Sequence, residues 1–123
     1  MSRKILIVED EAAIANICKA EMEKNGAKVT VVENGKQALE AVQKQKFDLV
    51  LLDLLMPVMD GYAVLAHCKK TGKAMPVIVV LTNLGQDMTK AKCKKLGAED
   101  FIVKSDVDAP DIWEKIKKYL PMK

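Results

Sequence analysis

Short apolar runs alternate with stretches of helical spacing along the chain. Ile5 to Val8, Val29 to Val32, Leu49 to Leu52, Val77 to Leu81 and Phe101 to Val103 are nearly continuous and rich in β-branched residues, which predicts strands buried on both faces. After each comes a segment of helical length, at roughly 11–25, 35–45, 60–71, 86–96 and 108–120. In the first, Ile14, Ile17, Cys18 and Met22 recur at three- and four-residue intervals and define one core face. The punctuation agrees with this parse. Gly26, Gly72 and Gly97 stand where helices need a left-handed C-terminal residue, Asn34 and Gln37 have the spacing of an N-terminal capping box, and Pro110 fits the first turn of the last helix.

Five βα units with short connections predict an α/β fold, a parallel sheet with helices on both faces joined by right-handed crossovers. Parallel strands present all their C-terminal ends on one edge, and in open α/β sheets ligands bind there, where the strand order reverses. There is no internal repeat, low-complexity tract or linker. A length of 123 residues suits one domain over 1–123, with no second domain expected.

Composition narrows the class without naming it. Hydrophobic residues make up 50% and charged residues 30%, as in ordinary globular chains, and the formal charge of +3 permits an acidic partner without demanding nucleic acid. The apolar runs fall well short of a bilayer span, and Arg3-Lys4 leads into Ile5 to Val8 and then Glu9-Asp10-Glu11 without the features of a signal peptide. A cytoplasmic protein with no membrane association is the expectation. Cys18, Cys68 and Cys93 lie far apart in helical segments without CxxC spacing, which suits reduced, buried thiols.

The chemistry collects at the strand ends. The first strand runs into Glu9-Asp10-Glu11, the third ends on Asp53, the fourth on Thr82-Asn83 and the fifth on Lys104-Ser105. A carboxylate ending the apolar run Leu49 to Leu52 is costly to desolvate and needs a partner or a chemical use. Several carboxylates together favour a bound cation, and an oxygen-only set without His or Cys suits Mg²⁺. Beside such a cation a phosphoryl group is accommodated, with Lys104 offsetting its charge, Thr82 donating a hydrogen bond and Asp53 available as nucleophile.

Glu9-Asp10, Asp53 with Met56-Pro57 and Asp60-Gly61 after it, Thr82 and Lys104 together resemble the signature of the response-regulator receiver domain, over essentially the whole chain. That resemblance implies a flavodoxin-like, doubly wound fold with strand order 2-1-3-4-5. It implies that Asp53 takes a phosphoryl group from the phosphohistidine of a histidine kinase or histidine phosphotransfer protein. Glu9 and Asp10 would then hold Mg²⁺, directly or through water, with Asp53 and the backbone carbonyl of Leu55. Lys104 would pair with the phosphate, and Thr82 would couple to Phe101 as a switch read by a downstream effector protein. Lacking a hydroxyl, Phe101 would change burial rather than hydrogen bonding.

Departures from the family are as informative as the match. Ser105 stands where the family usually has a cis-proline, and a cis bond before a non-proline residue costs about 2.5–4 kcal/mol, which points to a trans loop and a differently aimed Lys104. Asn83 replaces a small residue, with the reach either to crowd the phosphate or to hydrogen-bond it. Leu55 and Leu84 replace residues that are often polar near the path of hydrolytic water, which points to a longer phosphorylated lifetime. Other readings have weaker support. A Mg²⁺-dependent aspartyl-phosphate phosphatase would carry D-x-D after the first strand, and an FMN binder would carry a Gly/Ser/Thr-rich phosphate loop where this chain has three acids. A degenerate receiver, binding protein without phosphorylation, is the remaining alternative. His67 suits a surface or packing role, the methionines at 22, 56, 59, 75 and 88 gap-filling core or loop positions, and the lysines at 90, 92, 94 and 95 a solvated helix face.

Overall fold

The computed structural model describes residues 3–71 and 76–121. The strands are β1 (Arg3–Val8), β2 (Ala27–Val32), β3 (Leu49–Leu52), β4 (Val77–Thr82) and β5 (Asp100–Val103). The helices are α1 (Ala12–Lys24), α2 (Gly35–Lys44), α3 (Gly61–Thr71), α4 (Asp87–Lys95) and α5 (Ala109–Ile116). All neighbouring strands pair in parallel, in the order β2-β1-β3-β4-β5. This is the doubly wound arrangement expected from the sequence.

Alternation along the strands divides the core in two. Ile5, Ile7, Leu49, Leu51, Val79 and Leu81 face α1 and α5, where Cys18, Met22, Ile112, Trp113 and Ile116 close over them. Leu6, Val8, Val50, Leu52, Ile78 and Val80 face α2, α3 and α4, against Leu39, Val64, Leu65 and Cys93. Burying one such leucine or isoleucine contributes about 1.5–3 kcal/mol, so the two layers hold the strand ends in register without help from the site. Among the described residues, no helix is long and apolar enough to cross a membrane.

Full burial on both faces holds for β3, but β2 and β5 are mostly half-buried, because they are the sheet's edges. Gly26 and Gly97 adopt φ of 91° and 104°, as left-handed residues after α1 and α4. Gly72 and Met75 lie outside the described residues. Asn34 accepts a hydrogen bond from the Gln37 N–H at 2.9 Å, but Gln37 reaches back to the Glu33 N–H at 2.7 Å, one residue beyond the expected box partner. A reciprocal box does form at α5, between Asp108 and Asp111. α5 is shorter than the 108–120 segment, since Lys117–Tyr119 tightens into a 3₁₀ turn. Met22 is core, Met56 and Met59 pack on its edge, and Met88 is exposed on α4 rather than filling a gap.

Candidate functional site

The central strands deliver the acids side by side. β1 and β3 pair up to Val8 and Leu52, and the ladder continues past them, with the Asp53 N–H donating to the Val8 carbonyl at 3.1 Å and the Glu9 N–H to Val32 at 3.0 Å. Glu9 and Asp53 are thereby buried at 3% and 5% exposure, while Asp10 stays exposed. One oxygen from each of Glu9, Asp10 and Asp53 lies within 4.8 Å of the others.

Lys104, the first residue after β5, enters this cluster. Its Nζ lies 2.5 Å from Glu9 Oε2 and 2.8 Å from Asp53 Oδ2, with Glu11 at 4.0 Å. The Lys104–Ser105 bond is trans, as expected. The lysine is nonetheless aimed at the acids, so the expected misdirection does not occur. Burial opposes the charge on Lys104, but hydrogen bonds to the Asp53 and Glu9 carboxylates outweigh it and raise its pKa above 10.5. Burial raises the pKa of Glu9 above 4.5, and the bond from Lys104 only partly offsets that. The Glu11 N–H donates to Glu9 Oε1 at 3.1 Å, leaving one oxygen for the lysine.

The loop from β3 to α3 is set by close backbone approach. The Leu55 N–H donates to Asp53 Oδ1 at 3.3 Å, and the Gly61 N–H to the Leu54 carbonyl at 3.0 Å. A Cβ on Gly61 would lie 2.4 Å from the Asp53 carbonyl oxygen and 2.8 Å from Leu54 Cα, which only glycine avoids. Gly35, whose N–H donates to Met59, is equally enclosed: a Cβ there would lie 2.5 Å from the Met59 carbonyl oxygen. Between these anchors Val58 adopts φ of 69°, an unfavourable conformation for a β-branched residue, as Met59 N–H closes a three-residue turn onto Pro57 at 2.7 Å. The sequence signalled neither the close approach of Gly35 to Met59, a residue remote in the chain, nor the left-handed backbone of Val58.

Thr82 is fully buried, and its Oγ1 accepts from the Leu84 N–H at 3.4 Å. In this state it caps the following turn. Phe101 is half-buried on the α3–α4 side of the core, with the Lys90 ammonium 5.9 Å from its ring centre. The Asn83 Oδ1 accepts from the Ser105 N–H at 3.0 Å. Leu55 is 58% exposed, while Leu84 is partly buried. Cys18, Cys68 and Cys93 are free and buried, and burial raises each thiol's pKa.

The donor set fits a hard divalent cation. Three carboxylates gather around a place where two already grip an ammonium, with no nitrogen or sulfur donor among them.

Residues 5–117 match the family model of the response regulator receiver domain, and the chain belongs to that family. It is 37% identical to sporulation initiation phosphotransferase F of Bacillus subtilis, an alignment covering 100% of this chain and 98% of that protein. It is 39% identical over 81% of its length to the uncharacterized transcriptional regulatory protein YkoG of the same organism, of which it spans only 43%. The CheY-like receiver domain protein from Methanospirillum hungatei superposes with a TM-score of 0.87 at 28% identity, over 96% of this chain and 93% of that one.

Proposed function

We propose that this receiver domain accepts a phosphoryl group on Asp53 from the phosphohistidine of a histidine kinase or histidine phosphotransfer protein. The observation that carries this reading is the buried Asp53 carboxylate, hydrogen-bonded by Lys104 and flanked by Glu9 and Asp10. One Asp53 oxygen attacks phosphorus as the P–N bond breaks, the imidazole leaves with that electron pair, and an acyl phosphate remains. Lys104 holds Asp53 in place beforehand and afterwards offsets charge on the phosphoryl oxygens. Glu9, Asp10, Asp53 and the Leu55 carbonyl would hold Mg²⁺, which when bound supplies positive charge against the donor phosphate and the attacking carboxylate.

The acyl phosphate replaces the single carboxylate charge of Asp53 with about −1.5 to −2 charges beside Thr82. Thr82 Oγ–H then turns from the Leu84 turn to the phosphate, and Phe101 moves deeper into the space beside it. This shifts the α4–β5–α5 face between two arrangements that an effector protein distinguishes. Similarity along nearly its whole length to a protein named as a phosphotransferase supports onward relay of the phosphoryl group.

Incubation with Mg²⁺ and acetyl phosphate, followed by intact mass measurement, tests the chemistry. A phosphate-sized adduct lost in Asp53→Asn is expected. No adduct under any donor would leave a protein-binding receiver without phosphorylation, and turnover of small phosphate esters would favour a phosphatase.

A further inference from the structure

We propose that Asn83 is a positioning residue for Lys104, and that it acts by holding the Ser105 N–H. The inference rests on the phosphoacceptor reading for its kinetic consequence and on geometry for the rest. β4 and β5 pair up to Thr82 and Val103, after which both chains turn away. Asn83 and Lys104 are the next residues, and the Asn83 side-chain oxygen meets the Ser105 N–H at 3.0 Å. A side-chain carbonyl thus adds one more link between the two strands where the backbone ladder has ended. That link falls one residue from the lysine whose Nζ is 2.8 Å from Asp53 Oδ2.

The turn needs such a tether. Lys104–Asp106 is a single 3₁₀ turn closed by a long Val107 N–H to Lys104 carbonyl bond of 3.4 Å, and Ser105 and Asp106 are exposed. As a serine, residue 105 keeps a backbone N–H to donate, as a proline at that position could not. The two departures at 83 and 105 are therefore halves of one contact: Ser105 supplies a donor and Asn83 is long enough to reach it. A small residue at 83 would remove this link between the turn and the end of β4. Asn83 is exposed, so its role is in aiming Lys104 and not in the core.

The test compares Asn83→Ala and Asn83→Asp with the parent by amide hydrogen exchange at Ser105, NMR of the Lys104 ammonium protons, and phosphorylation by acetyl phosphate with Mg²⁺. In Asn83→Ala the Ser105 amide and the Lys104 ammonium protons exchange faster while the melting temperature holds. Asn83→Asp, which keeps an acceptor oxygen, retains Ser105 protection. Phosphorylation of Asn83→Ala slows about three- to tenfold, as loss of one ordinary hydrogen bond allows. In a Lys104→Ala background the same substitution has no further effect, because Asn83 works through the lysine. Unchanged exchange at Ser105 or Lys104, or an equal slowing in the Lys104→Ala background, overturns the proposal. A parent protein that takes no phosphate refutes the phosphoacceptor reading instead, and the exchange data still decide the role of Asn83.

Discussion

Replacing Lys104 with methionine removes the one ammonium held between Glu9 and Asp53 while keeping most of the side chain's apolar volume. At the 4.8 Å that bounds the clustered carboxylate oxygens, two unit charges repel by about 3.5 kcal/mol at an effective dielectric of about 20. Asp10 lies exposed at the same edge, so solvent screens part of this, and a loss of about 2 kcal/mol at neutral pH is expected without divalent metal. For a domain of this size that is a fall in Tm of roughly 10 °C, readable by circular dichroism in buffer with chelator. Mg²⁺ at about 100 times its Kd contributes about 2.7 kcal/mol, and it no longer competes with an ammonium, so it should stabilise Lys104→Met more than the parent. The pH dependence has a definite sign. Glu9 has a folded pKa above 4.5, so between its unfolded and folded values the folded state binds more protons, and its contribution to stability declines as pH rises through that window. Without Lys104 that rise in pKa is larger, so the variant's deficit should shrink on acidification. Equal melting of variant and parent in chelator, with equal gains from Mg²⁺, would refute the electrostatic reasoning.

Further outcomes follow from other contacts. Gly61→Ala drives a Cβ to within 2.4 Å of the Asp53 carbonyl oxygen, and should cost about 1–3 kcal/mol in urea unfolding while also slowing phosphorylation. Leu55→Asn and Leu84→Glu should each accelerate loss of the phosphate, read as the decay of phosphoprotein after donor removal; unaltered decay would show that these leucines do not restrain water. The Tyr119 hydroxyl donates to Asp100 at 2.8 Å, a bond that raises its pKa to about 12. Its contribution to stability is then full below pH 10 and lost toward pH 12. Ultraviolet titration should show this late ionisation disappear in Tyr119→Phe.

The hydrophobic pattern carried the fold because the strands that matter most, β1, β3 and β4, are buried on both faces and leave unbroken apolar runs. It overstated β2 and β5, since an edge strand's exposure depends on which neighbour is missing, and that is a property of the assembled sheet. Asp53, Glu9, Asp10 and Lys104 were legible because strand ends in a parallel sheet must share one edge. What the sequence left open was settled by contacts between loops. The Asn83 to Ser105 bond joins residues 22 apart, and neither position alone says what the other supplies. Gly35 looked like a helix start, yet its constraint comes from Met59 in another loop. Ser105 suggested a differently aimed lysine, but the pull of two carboxylates on a flexible side chain brings the ammonium to them even from a trans turn.

The central claim is that Asp53, and no neighbouring acid, carries the phosphoryl group. Borohydride reduces an aspartyl phosphate to homoserine, so phosphorylated protein can be reduced, digested and sequenced by mass spectrometry through Leu51–Gly61. Homoserine at position 53, absent when phosphodonor or Mg²⁺ is left out, is the expected result. Homoserine at Asp10, or an unmodified Asp53 in protein shown to carry phosphate, would contradict the account.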